Sequence, residues 1–95
     1  MGNLRRLVLD VLKPLDPGVV TLVQLLADLE GVDGVNISLS EIDRRVENVK
    51  ITIEGRSLSY EMIKGVVEEN GGAIHSVDEV AAGNLLIEDV ATTQD

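Results

Sequence analysis

Gly34-Val35-Asn36-Ile37-Ser38-Leu39-Ser40-Glu41 aligns without gaps on Gly72-Ala73-Ile74-His75-Ser76-Val77-Asp78-Glu79, 38 residues downstream. Glycine, serine and glutamate coincide at the first, fifth and eighth positions of the two stretches. Val35, Ile37 and Leu39 alternate with Asn36, Ser38 and Ser40, the period of a strand whose two sides meet different surroundings. A stretch of helical spacing precedes each copy. Before the first, Val19, Leu22, Val23, Leu26 and Leu29 mark one helix face; Asp16 is placed to cap it, Pro17 to sit in its first turn, and Gly31 to end it. Before the second, Ser59 is placed to cap a helix with Ile63, Val66 and Val67 as its inner stripe. Leu58 is set to staple against Ile63, and Asn70-Gly71-Gly72 stops the element.

Each helix is itself preceded by a strand. In residues 4–12, Leu7, Leu9 and Val11 face one way, with Arg6, Val8, Asp10 and Leu12 on the other. In the second case Val49, Ile51 and Ile53 alternate with Lys50, Thr52 and Glu54. Residues 42–47 form the hairpin between, Gly55 is expected to supply a turn with positive φ, and Gly65 to mark a close helix crossing. A β-α-β unit used twice predicts an α+β fold: the ferredoxin-like βαββαβ two-layer sandwich, with two helices on one face of a four-stranded antiparallel sheet. Right-handed crossovers put both helices on the same face. Residues 1–83 make the domain, and residues 84–95 a tail that is either frayed or an arm docking on a neighbouring subunit.

The composition excludes several chemistries. With 95 residues there is room for one domain and one modest core. No cysteine is present, which removes disulfides, thiolate catalysis and iron–sulfur ligation. Seventeen acidic against eight basic residues give a net charge of −9, which repels phosphate backbones, and Tyr60 is the lone aromatic. Without a basic patch or a stacking platform, nucleic acid is not an expected partner. No run of 18 apolar residues exists, so neither a membrane span nor a membrane partner is expected. The N-terminal apolar run is broken by Asp10 and Lys13-Pro14, and the protein is read as cytoplasmic.

The uncovered sheet face is expected to carry Arg6, Val8, Asp10, Asn36, Ser38, Lys50, Thr52 and Glu54, with Leu12, Ile74 and Val80 among them. That face is either solvated and laced with weak ion pairs or a surface for homo-oligomer formation. Glu41, Asp43 and Glu47 cluster around the hairpin, and oxygen-rich clusters of this kind suit Ca²⁺ or Mg²⁺. Arg44-Arg45 beside them supports the plainer reading of a solvated acidic hairpin. His75, the single histidine, is aligned with Ile37 and so expected on the helix-covered face, hydrogen-bonded to backbone or serving as a ligand. With Asp78 and Glu79 it forms a second polar group. Acid–base catalysis there would need a pocket between subunits, because so small a core cannot enclose one.

Three stretches carry a family resemblance: residues 31–37, residues 41–55, and Gly71-Gly72-Ala73-Ile74-His75-Ser76-Val77-Asp78-Glu79-Val80-Ala81-Ala82-Gly83. Together with the tail Glu88-Asp89-Val90-Ala91-Thr92-Thr93-Gln94-Asp95, they resemble the archaeal domain-of-unknown-function family 211. The resemblance implies a stand-alone ferredoxin-like protein that forms a ring-like or other homo-oligomer, and by itself implies no reaction. Asp16-Pro17-Gly18-Val19-Val20 followed by Gly34-Val35-Asn36-Ile37 is also similar to the loop-and-strand pattern of ACT domains, which bind small effectors between subunits. That similarity implies Asp16, Gly18 and Asn36 beside an anionic small-molecule effector at a helix N-terminus. The expectation is therefore a non-enzymatic homo-oligomeric module for a small ligand or divalent cation, with an inter-subunit enzyme or a purely structural subunit as alternatives.

Overall fold

The computed structural model describes residues 1–90. Along the chain run β1 (Leu4–Pro14), α1 (Val19–Ala27), β2 (Gly34–Ile42), β3 (Val46–Glu54), α2 (Tyr60–Glu69) and β4 (Ala73–Ala82). The strands lie in the order β2-β3-β1-β4, each antiparallel to its neighbour. This is the ferredoxin-like βαββαβ plan. The molecule is a slab of 40 × 40 × 17 Å, as thick as one sheet and one helix layer.

The core forms where strand parity and helix stripes meet. Leu7, Leu9 and Val11 of β1 oppose Ile53, Ile51 and Val49 of β3 in register, and all six are buried beneath the helices. Leu22 and Leu26 of α1 and Ile63 and Val67 of α2 close the layer, with Val19, Leu29 and Val66 half-buried around them. The Ser59 side chain accepts from the Met62 amide at 3.2 Å, satisfying one of the free N–H groups of α2, and Leu58 joins Ile63 in the core.

Several local expectations are corrected. Asp16 does not cap α1: Gly18 is the N-cap with no side-chain hydrogen bond, and Pro17, preceded by a cis bond, lies before the helix. The helix ends at Ala27, four residues ahead of Gly31, which holds φ +88° in the turn beyond. Gly55 does not have a positive φ. Its role is close approach, since a Cβ there would stand 2.0 Å from the Gly31 carbonyl oxygen. Gly65 marks no helix crossing, because nothing lies within 4 Å of where its Cβ would be.

The repeat is real in topology, yet β4 breaks its parity. Ile74 pairs with Val11 and Ser76 with Asp10, leaving His75 without a partner; Val77 pairs with Leu9 and Glu79 with Val8, leaving Asp78 without one. Each extra residue reverses the alternation of the strand. Ile74, opposite Val11, packs on the core rather than the bare face, and Val80, opposite Leu7, is also on the helix side. His75, expected on the helix-covered face, is instead an exposed bulge residue on an edge strand. The other expected bare-face residues are there: Arg6, Val8, Asp10 and Leu12 oppose Glu54, Thr52, Lys50 and Asn48, with Asn36 and Ser38 next in line.

Candidate functional site

Arg6 organises the bare face. Its Nε donates to Glu54 Oε2 at 2.8 Å, directly across the β1–β3 pair. Its Nη1 and Nη2 grip both carboxylate oxygens of Glu88 at 3.0 and 2.8 Å, while Glu79 stands 3.7 Å away. Hydrogen bonding to Glu88, then to Glu54, raises the Arg6 pKa above its ordinary value, and the same contact lowers that of Glu88. Arg5 ties the segment at its root, donating to the carbonyls of Gly55, Gly83 and Asn84. Residues 84–90 thus return along the domain to which they belong, held at Asn84 and Glu88. Residues 91–95 of the expected arm lie outside the described residues.

The hairpin end carries the second arrangement. Ser40 is left unpaired between Leu39–Val49 and Glu41–Asn48, so Glu41 turns to the bare face. Glu41, Asp43 and Asn48 line one cleft of about 150 Å³ with Leu12, Ile42 and Val46. The Asn48 Oδ1 is buried and has no hydrogen-bond partner, a costly condition for an amide oxygen. Asp43 is turned into its own loop, where a carboxylate oxygen accepts from the Arg44 amide. Glu47 does not join them. It opposes Lys13 on the helix side, with Nζ to Oε1 at 2.8 Å and Lys13 only 2% exposed. The triad of Glu41, Asp43 and Glu47 is therefore split across the sheet, and among the described residues no three acidic or histidine side chains converge on a metal-sized space.

The other candidates also lie apart. Asp78 Oδ1 accepts from Ser76 Oγ at 2.7 Å, Glu79 faces Arg6, and His75 is exposed. None of the three lines the surface concavities described for this chain. Asn36 lies on the bare face, opposite Thr52 and bonded to Ser38, whereas Asp16 and Gly18 lead into α1 on the helix side. The sheet lies between them within one chain.

Sequence reasoning missed two pairs. Lys13–Glu47 was legible in principle, because it continues the parity of Leu7, Leu9 and Val11 and of Ile53, Ile51 and Val49. Arg6–Glu88 was not, since nothing periodic in residues 84–90 announces a return to the sheet.

The strand order, the two crossovers and this polar bare face define a small ferredoxin-like α+β protein. The chain matches the model of the DUF211 family, uncharacterized ArCR proteins, over residues 5–95, and it belongs to that family. It is 50% identical over 95 residues to the uncharacterized protein MJ0319 of Methanocaldococcus jannaschii, an alignment covering 100% of this chain and 98% of the relative. Among the described residues, no helix is long and apolar enough to cross a membrane.

Proposed function

We propose that the chain is a non-enzymatic, cytoplasmic homo-oligomeric module that takes a divalent cation at the hairpin end. The observation that carries the reading is a surplus of exposed aliphatic side chains on both sheet flanks: Leu39 and Ile42 on β2, Val77 and Val80 on β4. Both strands end the sheet, so their outer N–H and C=O groups also lack strand partners. Covering such edges with further copies stabilises a small one-sided sheet. The described concavities, of about 150 to 330 Å³, open to solvent, which favours a site completed between copies over a pocket within one.

For the cation, support comes from Glu41, Asp43 and Asn48 lining one cleft and from the Asn48 Oδ1 having no hydrogen-bond partner. One oxygen from each of these three side chains falls short of the six to eight that Ca²⁺ takes, leaving the rest to water or a neighbouring copy. A bound cation would also offset repulsion between chains of charge −9. Light scattering on the intact chain should give a mass at least twice 10.2 kDa. A thermal-shift series with Ca²⁺, Mg²⁺ and Mn²⁺ should raise Tm, and Asp43→Asn with Asn48→Leu should abolish the rise. A monomeric mass removes the assembly reading. An oligomer whose melting ignores all three cations is a purely structural subunit.

A further inference from the structure

We propose that Asn70-Gly71, where α2 hands the chain on to β4, is a self-modification site that the fold holds shut. When the helix end opens, the Asn70 side-chain amide is attacked by the Gly71 nitrogen, and the product carboxylate bars the end from closing again. The site is independent of the hairpin cleft and of assembly.

The chemistry is local and takes nothing from outside but water. The Gly71 backbone nitrogen loses its proton and bonds to Asn70 Cγ. The side-chain nitrogen takes up a proton and leaves as ammonia, and a cyclic succinimide remains. Water then opens that ring at either carbonyl, giving aspartate or isoaspartate. A side chain on the following residue hinders the attack, and glycine has none. Asparagine stands at positions 3, 36, 48, 70 and 84, followed by Leu4, Ile37, Val49, Gly71 and Leu85. Asn70 alone meets the condition.

The folded structure opposes each part of that attack. Asn70 Nδ2 donates to the Val66 carbonyl at 2.8 Å, which fixes the side chain back along α2. The Gly71 amide donates to the Glu68 carbonyl at 3.0 Å and so keeps the proton it would have to lose. Asn70 has ψ 20°, which in an L residue turns the following nitrogen away from Cβ. Attack therefore waits until these last hydrogen bonds of α2 break, and helix ends open more readily than whole domains unfold. Return is blocked. Aspartate would set a carboxylate against the Val66 carbonyl at the negative end of the helix, beside Glu68 and Glu69, with no basic residue in the last turn. Isoaspartate would add a backbone methylene in a turn without slack: Gly71 holds φ +82°, and a Cβ on Gly72 would stand 3.0 Å from the Val67 side chain.

Peptide mapping of the intact chain, held in one alkaline buffer with and without urea, tests the proposal. In urea, Asn70 should convert to aspartate and isoaspartate well ahead of the other four asparagines. In the folded chain its conversion should be at least about tenfold slower. Gly65→Ala strengthens α2 without touching the pair, and should slow the folded chain's conversion by about threefold or more. Asn70→Asp should melt below the parent protein or fail to fold. Equal rates with and without urea, no lead for Asn70 in urea, or a folded-state rate indifferent to Gly65→Ala overturns the shut site. An Asn70→Asp chain as stable as the parent overturns the block on return.

Discussion

Lys13 and Glu47 meet beneath the helix layer, Nζ to Oε1 at 2.8 Å, where the end of β1 lies against the start of β3, strands whose neighbouring core positions are all aliphatic. The Lys13 ammonium donates also to the Pro14 carbonyl at 2.7 Å, so two of its three donors are used within the fold. Burial of both charges is costly, and their mutual attraction with that extra hydrogen bond offsets the cost.

Removing one partner leaves the other charge buried alone. Lys13→Met is expected to cost about 3–5 kcal/mol in urea unfolding, whereas Lys13→Met with Glu47→Leu should lie close to the parent protein. A double variant as unstable as the single one would show that the site depends on charge rather than on filled volume.

Glu88 holds residues 84–90 to the bare face through Arg6, in a contact open to water and salt. A carboxylate whose folded pKa is lowered stabilises its contact above the unfolded value and loses it as pH falls through the folded one. The segment should therefore stay docked at neutral pH and loosen only below the usual carboxylate range of about 4. Glu88→Gln should loosen it already at pH 7. Faster amide exchange and proteolysis near Leu85 and Ile87 would report the release; unchanged rates would dissociate Glu88 from docking.

Two glycines should respond oppositely to alanine. At Gly55 the added methyl would lie 2.0 Å from the Gly31 carbonyl oxygen, so Gly55→Ala should cost at least about 2 kcal/mol. Gly65 sits inside α2 with open space at its Cβ position, and Gly65→Ala should gain up to about 1 kcal/mol. Thermal unfolding of the two variants, moving in opposite directions, checks both.

Much of the fold could be read because two periods agree with it. Leu7, Leu9 and Val11 declare a strand face, Leu22 with Leu26 and Ile63 with Val67 declare helix stripes, and Ser59 marks a helix start. Phase within β4 could not be read. Alignment with β2 gives Ile74 the side of Asn36 and His75 that of Ile37, but the pairing of Ile74 with Val11 sets β4 one residue out of step. Val80 shares the misplacement, because two bulges between it and Ile74 cancel and return it to the same side. Ser40, His75 and Asp78 look like ordinary members of alternating strands, and nothing in their chemistry marks them as unpaired. The acidic residues near the hairpin were visible as a group, but a sheet lay between Glu47 and Glu41. Asn48, which lines the same cleft as Glu41 and Asp43, gave no sign of it in a sequence rich in polar strand residues.

The unpaired residues of β4 bring an evolutionary constraint. Loss of His75 alone would join Ile74 directly to Ser76 and leave both opposite their present partners on β1, because the extra residue stands outside the ladder. Loss of Lys50 from the unbroken β3 would instead swing Ile51 out of the core. One-residue gaps between relatives should thus gather in the fourth strand, at positions 75 and 78, and be purged from the third.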